Sequence, residues 1–147
     1  MRPLNFPRYP FRFKNRQNKI AVFDDLRKKF VHLTPEEWVR QHVVQFLLLE
    51  KGFPKSLLNV EKKLILHDLT RRYDIVAFTP QGKVHLLVEC KAPHVPITQD
   101  TFDQIARYNL AFQARFLMVT NGIDHFFCQM DYQKKEYIFL RDLPAWD

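Results

Sequence analysis

Residues 71–91 read RRYDIVAFTPQGKVHLLVECK, and they predict the centre of the fold. It contains two apolar runs, at positions 74–78 and 84–91, and each has the length and composition of a β-strand. Positions 80–83, PQGK, have the residues of a hairpin turn. The stretch therefore predicts two adjacent strands, and the second is apolar enough to lie inside a sheet.

The second strand carries two charged residues among apolar ones. Glu89 and Lys91 are two positions apart, so they project to the same side of the sheet. Burying a lone carboxylate or a lone ammonium there is unfavourable by several kcal/mol, whereas a pair, or a cation bound to the carboxylate, is tolerated. Because the turn brings Asp74 near Glu89, we expect two carboxylates and one amine to converge from adjacent strands.

This set of side chains suits metal-dependent hydrolysis of a phosphodiester. Carboxylate oxygens bind Mg²⁺, which keeps several waters and accepts phosphate oxygens. A bound Mg²⁺ lowers the pKa of a water ligand and stabilises charge on the phosphate, and a lysine can position that water or neutralise the charge. The structural alternative is a salt bridge between Glu89 and Lys91 within the sheet, with Asp74 only beginning a strand.

The rest of the chain predicts helices packed on this sheet. Thr34 is the expected N-cap of a helix, with Pro35 at the first helical position and Glu37 three residues after the cap, and Gly52 is expected to end it. Further strands are predicted at 58–66, 115–120, 126–130 and 137–140, and a second helix at 98–114. The expected fold class is α/β, with a central mixed β-sheet flanked by helices.

The first 33 residues interleave basic and aromatic side chains. Alternation through Phe11 and Phe13 suits a short strand. We expect residues 1–33 to form an arm that lays its aromatic rings on the core, with residues 34–147 as the body of a single domain. The alternative is that these aromatic and basic side chains stack on bases and follow phosphates.

Composition narrows the classes of partner and of site. A formal net charge of +7 favours a polyanionic partner such as DNA. The absence of a long apolar run and of a signal peptide predicts a cytoplasmic protein with no membrane partner. Cys90 and Cys128 are expected to be reduced and at least partly buried, and the six histidines lack the spacing of a structural zinc site.

A second motif lies in the helix predicted after the hairpin. Gln104 and Tyr108 are four residues apart, so they share one helix face. Together with Asp74 and the Glu89-x-Lys91 pair, they form the pattern of the RecB-like branch of the PD-(D/E)xK nucleases, which the sequence resembles.

Four further segments sharpen this resemblance. They look like the N-terminal nuclease domain of type I restriction enzyme R subunits, in the form found as small separate proteins, and the similarity covers roughly residues 20–140. The segments are TPEEWVRQ at 34–41, RYDIV at 72–76, VECKAP at 88–93 and TNG at 120–122.

The resemblance implies a restriction-endonuclease-like core and a Mg²⁺-dependent deoxyribonuclease in which Mn²⁺ can substitute. Asp74 and Glu89 would be metal ligands, with the backbone carbonyl of Cys90 as a third, and Lys91 would be the catalytic lysine. Glu37 would be the acidic residue that the first helix aims at the metal, and its place in the capping box is the competing explanation.

The same resemblance implies four DNA-binding residues. Gln104 and Tyr108 would line the site and contact DNA or orient Lys91. Arg71 and Arg72 would bind phosphates, although charges at the end of a strand can equally be solvated.

Two alternatives compete with a nuclease. The chain could be a non-catalytic DNA-binding module that keeps the fold, or an interaction subunit that docks through residues 6–13. The helicase motor of type I R subunits does not fit in 147 residues. We therefore expect either a stand-alone nuclease or a subunit that contributes its active site to a larger restriction or defence complex. A homodimer is expected if both DNA strands are cut together.

Overall fold

A computed structural model describes residues 1–147 and contains two β-sheets and two α-helices. The N-terminal sheet consists of β1 (Phe13–Arg16), β2 (Lys19–Asp24) and β3 (Lys29–His32). The main sheet consists of β4 (Leu58–Leu66), β5 (Leu69–Phe78), β6 (Val84–Cys90), β7 (Phe116–Thr120), β8 (His125–Asp131) and β9 (Glu136–Leu140). The helices are α1 (Pro35–Gln45), which precedes β4, and α2 (Gln99–Phe112), which connects β6 to β7.

The main sheet has the strand order β4-β5-β6-β7-β8-β9. All neighbouring strands are antiparallel except β6 and β7, which are parallel. A parallel pair needs a crossover connection, and α2 provides it. The predicted α/β class with a central mixed sheet and flanking helices is confirmed.

Each face of the main sheet carries its own hydrophobic core. The core shared with α1 includes Val39, Val43, Leu47, Ile75, Leu86, Val88 and Met118. The core shared with α2 includes Tyr73, Val76, Leu87, Phe102, Ile105, Leu117 and Val119. Because neighbouring residues of β6 belong to opposite cores, the continuous apolar run of this strand is buried on both faces.

The first helix begins as predicted. The Thr34 hydroxyl accepts a hydrogen bond from the Glu37 backbone N–H at 3.0 Å, and Pro35 occupies the first helical position. The α-helix ends at Gln45, continues as a π-helical turn (Phe46–Glu50) and stops before Gly52, whose φ is 69°. Neither helix is long and apolar enough to cross a membrane.

Two expectations about the strands need correction. Three strands lie within residues 13–32, where one short strand through Phe11 and Phe13 is expected, and Gln17 and Asn18, both with positive φ, at 50° and 65°, turn the chain between the first two without a glycine. The expected packing of an aromatic ring of the arm on the core is seen at Phe6. Asp74 lies inside β5 and does not open it, since β5 begins at Leu69. The first half of β5 lacks an apolar pattern because it contains Arg71 and Arg72, so its sequence does not indicate a strand.

Candidate functional site

Asp74 is fixed by hydrogen bonds on both of its carboxylate oxygens. Its Oδ2 accepts from the backbone N–H of Cys90 at 2.7 Å, and its Oδ1 accepts from Nη2 of Arg40 at 2.9 Å. The first bond joins β5 to the end of β6, directly beside Glu89. The structure therefore brings Asp74 and the Glu89–Cys90 peptide together, as the hairpin predicts.

Glu89 has a buried oxygen without a partner. Its Oε1 accepts no hydrogen bond from any group in the structure. Burial, and then the negative charge of Asp74, raise the pKa of Glu89 to about 7, while the positive charges of Lys91 and Arg71 act in the opposite direction. A buried carboxylate beside a second carboxylate is unfavourable unless a cation neutralises it.

Lys91 follows the last residue of β6. Its backbone N–H donates to the carbonyl oxygen of Thr120 at 2.8 Å, and this bond holds the chain beside β7. The positive charge of its side chain opposes the rise in pKa that burial and Asp74 cause at both Glu89 and Glu36. The lysine therefore lies close enough to both carboxylates to act on their charge.

Glu36 and Glu37 face different neighbours, because adjacent helix residues point about 100° apart. Burial and then the charge of Asp74 raise the pKa of Glu36, whereas Arg40 and Lys91 oppose this. Glu36 is thus the acidic residue of α1 whose charge interacts with the site. The sequence analysis missed it, and the only signal for it was its place beside Glu37.

The carboxylate of Glu37 lies in a separate set of ion pairs. Its Oε1 accepts from Arg27 and from Arg40, both at 2.9 Å, and its Oε2 accepts from Gln41 at 3.1 Å. It therefore contacts the site only through Arg40, which also donates to Asp74. Direct binding of a metal by Glu37 stays a prediction.

Arg40 is a further residue that sequence reasoning missed. Only 8% of its side chain is exposed, and it forms ion pairs with Glu37 and Asp74 at 2.9 Å each. These two acids come from different elements, 3 and 34 residues away along the chain. Its position in the middle of α1 gave no indication of the contact with β5.

Three of the four predicted DNA-binding residues, Arg71, Gln104 and Tyr108, lie on the side of the sheet that carries α2, and Arg72 faces the other side. The guanidinium of Arg71 lies 3.8 Å from the centre of the Tyr108 ring, a cation–π contact, and its charge acts on Glu89. Gln104 is exposed one turn before Tyr108. Arg72 is exposed and pairs with Lys63 across the strands.

The chemistry of this end of the sheet fits a divalent cation with oxygen ligands. No three side chains of His, Cys, Asp or Glu form a cluster of metal ligands, and Asp74 and Glu89 are the two carboxylates that meet at this place. Mg²⁺ is commonly bound by one or two carboxylates, with waters and substrate phosphates filling the other positions. The unpartnered Oε1 of Glu89 is the group that a cation at this place would satisfy.

Comparisons with known proteins agree with this fold. A fragment of a protein described as an HsdR subunit of a type I restriction enzyme from Vibrio vulnificus YJ016 superposes with a TM-score of 0.52 at 20% sequence identity. The match covers 77% of this chain and 24% of that chain, so this chain spans about a quarter of the length of that protein. No curated protein matches the chain. Residues 35–144 match the family described as the type I restriction enzyme R protein N terminus, and the chain belongs to this family.

Proposed function

We propose that this protein is a metal-dependent DNA nuclease of the PD-(D/E)xK type, of the RecB-like branch. The observation that carries the proposal is the buried, unpartnered Oε1 of Glu89 beside the fixed carboxylate of Asp74. Such a pair is unfavourable by itself and becomes favourable when a cation is present. Membership in a family of restriction enzyme R protein N termini supports a nuclease rather than a structural salt bridge.

The proposed ligands of Mg²⁺, or of Mn²⁺ in its place, are Asp74, Glu89 and the backbone carbonyl of Cys90. When bound, the ion would activate a water and offset the charge that develops on the phosphate. The Cys90 N–H and the Arg40 guanidinium orient the Asp74 carboxylate before anything binds. Glu37 can become a ligand only if its carboxylate leaves Arg27, Arg40 and Gln41.

Lys91 is the proposed catalytic cation. It follows Glu89 by two residues and is held next to β7 by its backbone. From there its ammonium can hold the attacking water or stabilise negative charge on the non-bridging phosphate oxygens.

Double-stranded DNA is the proposed substrate. The net charge of +7 favours a polyanion, Arg71 stacks on Tyr108 on the side of α2, and Gln104 and Arg72 are exposed. Since the similar HsdR protein is about four times longer than the matched region, we propose that the site works alone, as a homodimer or within a larger restriction complex.

The test is nicking of a supercoiled plasmid by purified protein with Mg²⁺, Mn²⁺ or EDTA. We expect wild type to cut with either metal and not with EDTA. Lys91→Ala should reduce the rate about 100- to 1,000-fold, the usual effect of removing one group that stabilises the transition state. Lys83→Ala, in the exposed turn between β5 and β6, is the matched control and should cut like wild type.

Asp74→Asn in the same assay tests the metal ligand. It should abolish cutting and also abolish heat release on titration with Mn²⁺, while Glu136→Gln on β9 should change neither. A wild-type protein that binds Mn²⁺ and DNA but cuts neither duplex nor single strands would contradict the nuclease and leave a non-catalytic DNA-binding module.

A further inference from the structure

Strands β4 and β5 continue beyond the main sheet as a two-stranded ribbon. The last pair between β5 and β6 is Ile75 with Val88, whereas β4 and β5 remain paired out to Leu66 and Leu69. The ribbon therefore comprises residues 62–66 and 69–73 with a two-residue turn, and its base lies at Asp74.

One face of the ribbon is covered and the other is open. On the covered face, Leu64 packs against the α2 core and Arg71 stacks on Tyr108. On the open face, Lys63 pairs with Arg72, and Ile65 pairs with Thr70. All four of these residues are exposed, and Ile65 is 67% exposed.

The charge of the ribbon is strongly positive. It carries four cations, at positions 62, 63, 71 and 72, against one acid in the turn, Asp68. Lys62, Lys63 and Arg72 form no ion pair in the structure, and the nearest acid of β4, Glu61, is itself paired with Arg27 and Arg40. These three cations have no acidic partner within the protein, so a polyanion is the partner of complementary charge.

The open face leads directly to the proposed cleavage site. Arg72 lies two residues before Asp74 on β5, about 7 Å away along the strand. The six residues from Leu69 to Asp74 span about 17 Å, which is about half a turn of B-DNA. The major groove of B-DNA is wide enough to admit a two-stranded β-ribbon.

We propose that the open face of this ribbon binds the major groove of double-stranded DNA next to the scissile phosphate. Lys63 and Arg72 contact the phosphates that flank the site, and Ile65 makes an apolar contact with base edges. This inference rests on the proposed nuclease function, since Asp74 marks where the cut phosphate lies. The ribbon thus fixes how the duplex is positioned, separately from the residues that hydrolyse it.

Salt-dependent binding tests the two cations. Fluorescence anisotropy of a labelled 20-base-pair duplex is measured with Ca²⁺ in place of Mg²⁺, for wild type and for the double variant Lys63→Gln/Arg72→Gln. We expect about tenfold weaker binding and a loss of about 2 from the slope of log affinity against log salt. The double variant Lys134→Gln/Lys135→Gln, in the exposed turn between β8 and β9, removes the same charge and should leave the slope unchanged.

A second pair of variants tests the apolar contact. Ile65→Ala should weaken duplex binding about tenfold without changing the salt slope, because it removes apolar contact and no charge. Ile138→Ala, on the exposed side of β9, is the matched control, since 51% of its surface is exposed. Both variants replace exposed side chains, so circular dichroism should show wild-type folding.

The outcomes separate this inference from the nuclease proposal. If wild type cuts DNA but the ribbon variants bind like their controls, the ribbon inference is wrong and the nuclease proposal stands. If nothing cuts but the ribbon variants lose duplex binding, the nuclease proposal is wrong and the ribbon stands as a DNA-binding surface. Equal binding of single strands, with the same dependence on Lys63 and Arg72, would overturn the assignment to a duplex groove.

Discussion

Two sets of buried acids lie on either side of Arg40, and they differ in how they are neutralised. On the side of α1, Asp24 and Glu37 have hydrogen-bond donors on every carboxylate oxygen, from Arg27, Arg40 and Gln41 among others. On the side of β6, Glu89 has a buried oxygen with no donor. The first set is neutralised by the protein itself, whereas the second leaves a buried carboxylate oxygen without a partner. Burial of an acid therefore says little about function until its partners are counted.

The largest expected effect on stability comes from the satisfied set. Glu37→Gln removes the charge that both Arg27 and Arg40 pair with, so it should lower the free energy of unfolding by about 3 kcal/mol. Urea unfolding without divalent cations measures this. Glu136→Gln, an exposed glutamate on β9, should change stability by less than about 0.5 kcal/mol. An equal effect at the two positions would show that the ion pairs of α1 contribute nothing.

Asp24 should make the same set sensitive to acid. Burial opposes its ionisation, but hydrogen bonds from the Arg27 backbone, Gln41 and the Arg27 side chain outweigh it, so the pKa of Asp24 is below its usual value. A carboxyl group with a lowered pKa in the folded state stabilises the protein above its unfolded pKa, and that stabilisation is lost as the pH falls through the folded value.

Asp24→Asn measures this contribution. At pH 7 it should lower the free energy of unfolding by about 2 kcal/mol, because Arg27 and Gln41 lose an acceptor. Below about pH 4 the difference from wild type should shrink, because Asp24 becomes protonated first in the unfolded chain and, at lower pH, in the folded protein. A difference that stays constant from pH 7 to pH 3 would mean that the carboxylate charge is not what matters at this position.

Local patterns predicted the elements that hold the site. The apolar run of β6, the turn before it and the cap of α1 are signals that act over a few residues, and the structure has all three. The juxtaposition of Asp74 with the Glu89–Cys90 peptide follows from the hairpin alone. The roles of these residues in binding metal and cutting DNA stay predictions.

The parts that were missed depend on distant contacts or on unusual turns. Arg40 reaches Asp74 across 34 residues of sequence, and no local pattern marks such a pair. The choice between Glu36 and Glu37 depends on how α1 is rotated against the sheet. The turn at Gln17 and Asn18 has positive φ without glycine, and the charges of Arg71 and Arg72 concealed the first half of β5.

Glu89→Gln is the counterpart of Glu37→Gln and should act in the opposite direction. Without metal, an amide in place of the unpartnered carboxylate should raise the free energy of unfolding by about 1 kcal/mol, because an unpaired buried charge is removed. With Mn²⁺ at ten times its dissociation constant, wild type should gain about 1.4 kcal/mol from binding, and Glu89→Gln should gain nothing. Thermal unfolding with and without Mn²⁺ measures both effects. If Glu89→Gln destabilises the metal-free protein as Glu37→Gln does, Glu89 belongs to the structural ion pairs, and the difference between the two acidic sets disappears.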